Sequence, residues 1–481
     1  MENKKVVTNF LWRFMERIGS QGLTFVMSIV LARLLDPSVY GTIALVTVFT
    51  TIMQVFIDSG LGTALVQKKD ADDVDFSTVF YFNLVMCSIL YIGMFLAAPL
   101  IAAFYELPEL TPIVRVISLT LLVSGVRNVQ QSYVSKHMIF KRFFYATLGG
   151  TIGAAVLGIV MALAGFGVWA LVAQKLFNDV IGTLILWVTV KWRPKAAFSF
   201  QRFKSLFSYG WKLLLSNLLE TVYQDLRQLI IGKMYTTEDL AFYNKGHQFP
   251  RVIVTNINSS IDSVLFPAMS SQQDDKTRVK AMTRRAIKTS TYIMMPLMMG
   301  LAMCAEPIIR ILLTEKWLPS VFYMRIFCFT MAFYPIHTAN LNAIKAMGRS
   351  DLFLRLEVLK KIVGMIALLI SMWISVEAMA YSLLSTTILS QIINSFPNKK
   401  LLDYSYLQQI KDMVPQILLS VFMGVVVYIV TFLPISPYLV LLIQIPLGIV
   451  VYAGLSKLFH LESFGYILTM LKNFFKKKKT V

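Results

Sequence analysis

Cysteine is scarce in this 481-residue chain. Cys87, Cys304 and Cys328 all lie inside apolar stretches, with no paired spacing. That excludes a disulfide scaffold and a CxxC metal site and leaves three small buried hydrophobes. The four histidines, His137, His247, His337 and His460, are far apart and no HExxH occurs, so no metal site is expected. There is no GxxxxGK[ST] phosphate loop, which removes ATP hydrolysis by that route. Gly165-Phe166-Gly167 lacks the third glycine of a dinucleotide fingerprint. With no nucleophile–base arrangement either, the chain reads as a non-enzyme that needs no cofactor. Charge is thin as well. Only 15% of residues are charged, against about 25% in soluble proteins, so a soluble multidomain enzyme is a poor fit.

What the chain has instead is apolar length. Hydrophobic residues make up 56% and the mean hydropathy is +0.65. About fourteen stretches are long and apolar enough to cross a bilayer. They are 10–33, 39–66, 77–103, 112–134, 144–164, 168–190, 209–233, 241–267, 289–313, 319–346, 355–375, 378–396, 413–433 and 437–459. Turn residues such as Asp36-Pro37, Leu107-Pro108 and Pro434 to Pro437 separate them. This describes an all-α polytopic membrane protein with no room for a soluble catalytic domain.

The formal charge of +20 then has a topological meaning. With the N-terminus in the cytoplasm, the even-numbered connections and both termini hold most of the Lys and Arg, including Lys68-Lys69, Lys276, Arg278, Arg284, Arg285 and Lys476 to Lys479. Cytoplasmic loops carry such an excess, so both termini are expected inside and nucleic acid is not invoked. Arg13, Glu16 and Arg17 interrupt what would be the apolar region of a signal peptide. The first span is therefore expected to remain as a helix. The tail 460–481 reads either as a solvated basic segment or as a short amphipathic helix on an anionic leaflet.

The pattern repeats. Trp12-Arg13 opens the first span and Trp211-Lys212 the seventh; Ile57-Asp58-Ser59 closes the second and Ile261-Asp262-Ser263 the eighth. The offset is roughly 200 residues throughout. Six helices separate the copies, so both have the same orientation. The organisation expected is a six-helix lobe at 1–205, a second, pseudo-symmetric one at 206–396, two additional helices at 397–459 and the basic tail. Two such lobes suit alternating access.

Polar residues at membrane depth are the candidate functional groups, because ionisable side chains in hydrocarbon are costly. In the first span Arg13, Arg17, Ser20, Gln21, Thr24 and Ser28 recur at steps of three and four and share one helical face. The seventh span has Asn217, Glu220, Gln224, Asp225, Arg227 and Gln228. The fourth carries Arg127 and Asn128, and the sixth Gln174, Lys175, Asn178 and Asp179. Lys175 and Asp179, at i,i+4, read as an intrahelical pair. Asp58 and Asp262 read as structural caps or inter-helix locks rather than substrate ligands. Arg13, Arg17, Arg127, Lys175, Gln21 and Gln224 are the candidates for contact with an anionic cargo, since arginine makes bidentate contacts to phosphate. Glu16, Glu220, Asp225 and His337 are candidates for ion coupling.

The segments ARLLDPSVYGTIALVTVF (32–49), FIDSGLGTALVQ (56–67), GFGVWALVAQKL (165–176), LIIGKMYTTEDLAFYNKGHQFP (229–250), VLFPAMSSQQDDK (264–276), LLTEKWLPS (312–320) and NLNAIKAMGRSDLFLRLEVLKK (340–361) resemble bacterial polysaccharide exporters. These are the O-antigen and colanic-acid-type oligosaccharide flippases of the multidrug/oligosaccharidyl-lipid/polysaccharide superfamily. The resemblance implies two six-helix lobes plus two helices and a cytoplasmic-membrane location. It also implies an undecaprenyl-pyrophosphate-linked oligosaccharide as substrate, with a polysaccharide polymerase and glycosyltransferases as partners. The rival readings are a multidrug/cation antiporter of the same superfamily, which requires a net acidic cleft, and a membrane glycan polymerase or ligase, which requires one large external loop.

Overall fold

The computed structural model describes residues 2–58 and 60–469, apart from the side chains of residues 2–11, 13, 14 and 209. Arg13 and the lysines of 470–481 thus lie outside the described side chains. The chain is helical, with no strand among the described residues, and divides into two compact units, Met1–Ala241 and Phe242–Val481.

The first unit contains α1 (Glu2–Leu34), α2 (Pro37–Asp58), α3 (Leu61–Gln67), α4 (Asp73–Tyr105), α5 (Leu110–Ile117), α6 (Leu119–Lys136), α7 (Lys141–Leu163), α8 (Val168–Thr189) and α9 (Phe200–Met234). Its boundaries follow local chemistry. Asp72 caps α4 by accepting from the backbone N–H groups of Val74 and Asp75, while the Asp75 carboxylate accepts from Asp72 N–H, a complete capping box. Gly60, at φ 71°, parts α2 from α3 within one expected span. Gly165 and Gly167, at φ 81° and 53°, make the tight α7–α8 turn. Helix α7 packs on α8 and α1, α4 on α6, and α2 on α9. The apolar side of α1 is buried through Met27 and Leu31, with Leu35 just after it, against Ala155 and Leu171.

The second unit contains most of α10 (Thr237–Ser270), then α11 (Lys276–Met303), α12 (Ala305–Leu312), α13 (Ser320–Ala332), α14 (Tyr334–Ala346), α15 (Ser350–Ser371), α16 (Val376–Ser395), α17 (Asn398–Leu402), α18 (Tyr406–Ile429) and α19 (Pro437–Leu458). Helix α11 packs on α13, α14 and α18, while α19 packs on α12 and α18. Residues 462–469 are helical, and Leu461, Phe464 and Ile467 pack on the cluster around Tyr292 and Tyr452. The Lys288 ammonium pairs with Glu462 and holds that exposed carboxyl below its ordinary range.

Every expected span falls on a helix or on two successive helices. Eight of the helical segments described are apolar and long enough to cross a membrane, a ninth if α11 and α12, bent by 61°, form one span. The chain is a multi-pass membrane protein. The helices at the other five expected spans (α1, α9, α10, α13–α14 and α15) fall short of that apolarity because they carry the polar residues, among them Arg17, Glu220, Asp225, Asp262, His337 and Glu357. A helix bordering a watery interior gives up hydropathy on that side.

The two repeated aspartates do the same thing in each unit. Asn128 Nδ2 of α6 donates to Asp58 of α2 at 2.9 Å. Asn342 Nδ2 of α14 donates to Asp262 of α10 at 2.8 Å. Each is an inter-helix lock, as expected from the sequence. A hydrogen bond to a charged acceptor contributes about 1.5–3 kcal/mol. Asp58→Ala and Asp262→Ala are each expected to destabilise by about that much, and the double variant by roughly the sum. Unfolding midpoints in detergent would check this; a clearly sub-additive double variant would contradict two independent locks.

Candidate functional site

The face of α1 that carries Arg17, Gln21 and Thr24 is exposed at all three positions. They recur at steps of four and three, so the side chains form one line along the helix. The line ends at a cavity of about 310 Å³ in the first unit, lined by Thr24 and Met27 of α1, Tyr40 and Ile43 of α2, Thr151 and Ala154 of α7, and Leu171, Gln174, Lys175 and Asn178 of α8.

Small residues on α7 set how closely it packs on α8. A Cβ on Gly150 would lie 2.8 Å from the Asn178 carbonyl oxygen, and one on Gly158 would lie 3.2 Å from Gln174 Cβ. The glycines let α7 and α8 approach closely enough to wall the cavity. Its polar groups are held by neighbours: Thr151 Oγ1 donates to the Thr147 carbonyl at 2.7 Å, Gln174 Nε2 lies 3.0 Å from Met27 sulfur, and Tyr40 OH is 3.5 Å from the Ser28 carbonyl oxygen.

The expected Lys175–Asp179 pair is not what forms. Asp179 takes the guanidinium of Arg127, from α6, at 2.8 Å. Arginine's planar fork reaches across the α6–α8 interface, while Lys175 turns into the cavity and makes no hydrogen bond or ion pair among the described residues. Arg127 is thus neutralised locally, and Lys175 is the one cationic residue lining the cavity.

The other candidate groups are distributed. Glu16 accepts from Thr147 Oγ1 at 3.2 Å. On α9, Gln224 Nε2 donates to Glu220 at 2.8 Å and Gln228 Nε2 to Asp225 at 2.9 Å. His337 belongs to the second unit, where its Nδ1 is 3.1 Å from Asn394 Nδ2; in the same unit the buried Asn340 bonds to both Gln409 and Asn398. Of the residues expected at the site, Arg17, Gln21 and Lys175 belong to the stripe and its cavity. Tyr40, Met27 and Thr151 join them without a sequence signal of their own; the glycine-rich stretch 149–158 was the only pointer to close packing there.

The family model for polysaccharide biosynthesis proteins matches residues 30–322. This chain belongs to that family. Among polysaccharide biosynthesis proteins, it is similar to the succinoglycan biosynthesis transport protein ExoT of Rhizobium meliloti (strain 1021), with 26% identity over 66% of this chain and 64% of that protein. It is also similar to the lipopolysaccharide biosynthesis protein WzxC of Escherichia coli (strain K12), with 22% identity over 88% of each. The chain therefore spans a little under two thirds of the first relative's length. In fold, this polysaccharide biosynthesis protein is similar to a solved structure of the lipid II flippase MurJ in an inward closed conformation, with TM-score 0.73 and 16% identity, covering 94% of this chain and 99% of that one.

Proposed function

We propose that the chain is a lipid-linked oligosaccharide flippase of polysaccharide biosynthesis. It moves an undecaprenyl-pyrophosphate-linked repeat unit from the inner to the outer leaflet of the bacterial cytoplasmic membrane by alternating access. The observation that carries the reading is the polar line of α1, from Arg17 through Gln21 to Thr24, running into a cavity with one cationic side chain. Arg13 and Arg17 take the pyrophosphate, while Arg127, paired with Asp179, and Lys175 border the rest of the cargo's path. Gln21 and Gln224 contact polar parts of the cargo, and the polyprenyl chain stays in lipid. About fourteen spans cross the membrane, with both termini in the cytoplasm. The lobes comprise 1–205 and 206–396, and the additional helices 397–459. Transport runs without ATP hydrolysis by the chain, with coupling through Glu16, Glu220, Asp225 or His337. The chain acts beside a polymerase and glycosyltransferases that use and make its cargo.

The transport named for the succinoglycan and lipid II proteins supports this reading, as does the charged residue among the described ones lining the cavity, Lys175, whose sign disfavours a cation antiporter. Reconstitution tests it. The wild-type chain in liposomes is expected to move a fluorescent undecaprenyl-pyrophosphate oligosaccharide. The Arg13→Ala/Arg17→Ala variant is expected to be slower by about one to two orders of magnitude, the worth of charge-assisted hydrogen bonds. Unchanged glycan movement in the variant, or cation efflux in place of glycan movement, would refute it.

A further inference from the structure

The cavity at the end of the α1 stripe differs from a diphosphate site in charge, in size and in place. Among the described residues its lining contains one cation, Lys175, and no carboxylate. The nearest acidic side chain along the helix, Asp179, is occupied by Arg127 at 2.8 Å. An ammonium at membrane depth with no counter-charge in contact is costly, and a ligand that brings one negative charge removes that cost. A diphosphate brings more than one, spread over several oxygens, and is matched by bidentate arginine forks rather than a single point-like ammonium. At about 310 Å³ the cavity lies near the lower bound of small-molecule sites, about 300 Å³. That is room for about one sugar ring, with the rest of a repeat unit extending through its open side. Thr24 is seven positions from Arg17, a rise of about 10 Å along the helix. A glycan whose pyrophosphate sits at Arg17 would therefore reach the cavity with a sugar some distance from the lipid.

We propose that this cavity is a specificity subsite for one carboxylate-bearing sugar residue of the transported glycan, such as a hexuronate. The Lys175 ammonium pairs with the carboxylate. Met27 and Leu171 offer an apolar wall to the C–H side of the ring, and Thr24, Thr151 and Asn178 hydrogen-bond its hydroxyls. The inference rests on the flippase reading and adds what that reading lacks, a determinant of which glycans are accepted.

The test uses the full chain in proteoliposomes with two matched probes, undecaprenyl pyrophosphate carrying glucuronyl-glucose and the same lipid carrying glucosyl-glucose. Wild type is expected to move the acidic probe at least about tenfold faster, the worth of one charge-assisted pair. Lys175→Gln is expected to bring the two rates together, and Lys175→Arg to keep a preference for the acidic probe. Equal wild-type rates would overturn the inference. So would a Lys175→Gln variant that slows both probes by the same factor, because Lys175 would then serve the shared pyrophosphate and the flippase reading would stand. If wild type moves neither probe, the flippase reading itself fails and the subsite with it.

Discussion

Replacing Gly41 by valine is expected to abolish the folded chain or lower its stability by at least about 3 kcal/mol, the upper part of the range for overpacking. Gly41 lies in the first turns of α2, and a Cβ built there would sit 1.7 Å from the Thr237 carbonyl oxygen and 2.5 Å from its carbon. The obstacle is backbone, so no side-chain rotation relieves it. The same corner holds three further contacts that would be displaced together. A Cβ on Gly232 of α9 would lie 2.8 Å from the Leu45 side chain. Lys233 pairs with Glu106 at 2.8 Å, and Tyr105 OH donates to the Leu229 carbonyl at 3.4 Å. The Lys233 ammonium holds the Glu106 carboxyl below its ordinary range. Expression yield and the unfolding midpoint in detergent measure the effect. Gly22→Val is the matched control, because a Cβ there meets nothing within 4 Å. Equal behaviour of the two variants would contradict the close approach of α2 to the start of α10.

The second large effect is expected at Asp75. This carboxylate is fully buried at the start of α4. It pairs with Lys68 at 2.7 Å and Arg202 at 3.5 Å, and it closes the capping box through Asp72 N–H at 3.1 Å. Around it, Lys195 N–H donates to Ser77 Oγ and Ser199 N–H to Thr78 Oγ1, so the linker before α9 is stitched onto the head of α4. Asp75→Ala removes the centre of this clasp and is expected to cost about 3 kcal/mol, near the lower end for breaking a buried ion pair. Its cationic partners keep some access to water, which holds the figure down. Accelerated proteolysis within 190–205 would report the freed linker, and an unchanged cleavage rate would rule the clasp out. Acid should loosen the same place. The hydrogen bond from Arg202, with that from Asp75 N–H, holds Asp72 well below the usual carboxylate range. A group depressed in the folded state stabilises fully above its unfolded pKa, about 3.9. That contribution disappears as the pH falls further towards the folded value. Asp72 is exposed, so the effect is modest and weakens with salt.

Some features of the site are visible in the sequence because they are local. The stripe Arg17, Gln21, Thr24 is a spacing, and spacing on one helix needs no partner to interpret it. The aspartates 58 and 262 could be read as locks because their positions repeat, although which asparagine each would take depended on packing. Tyr40, Met27 and Thr151 were silent: nothing in their immediate sequence separates them from other apolar-span residues, and they matter only because α2, α1 and α7 converge on α8.

Taken alone, the amino-acid sequence determined the membrane class, the helices and their polar faces, the repeated aspartates and the family resemblance. These follow from hydropathy, from the 3.6-residue period and from recurring segments, all properties of neighbouring residues. Tertiary structure decided the rest: that Asp179 belongs to Arg127, 52 residues away, and not to Lys175 one turn away, and that α1, α2, α7 and α8 converge around a cavity lined by that lysine. An i,i+4 pair is what a single helix offers, but a guanidinium arriving from a packed neighbour makes the stronger, better-oriented contact. Only the close approach of separate helices brings it within reach.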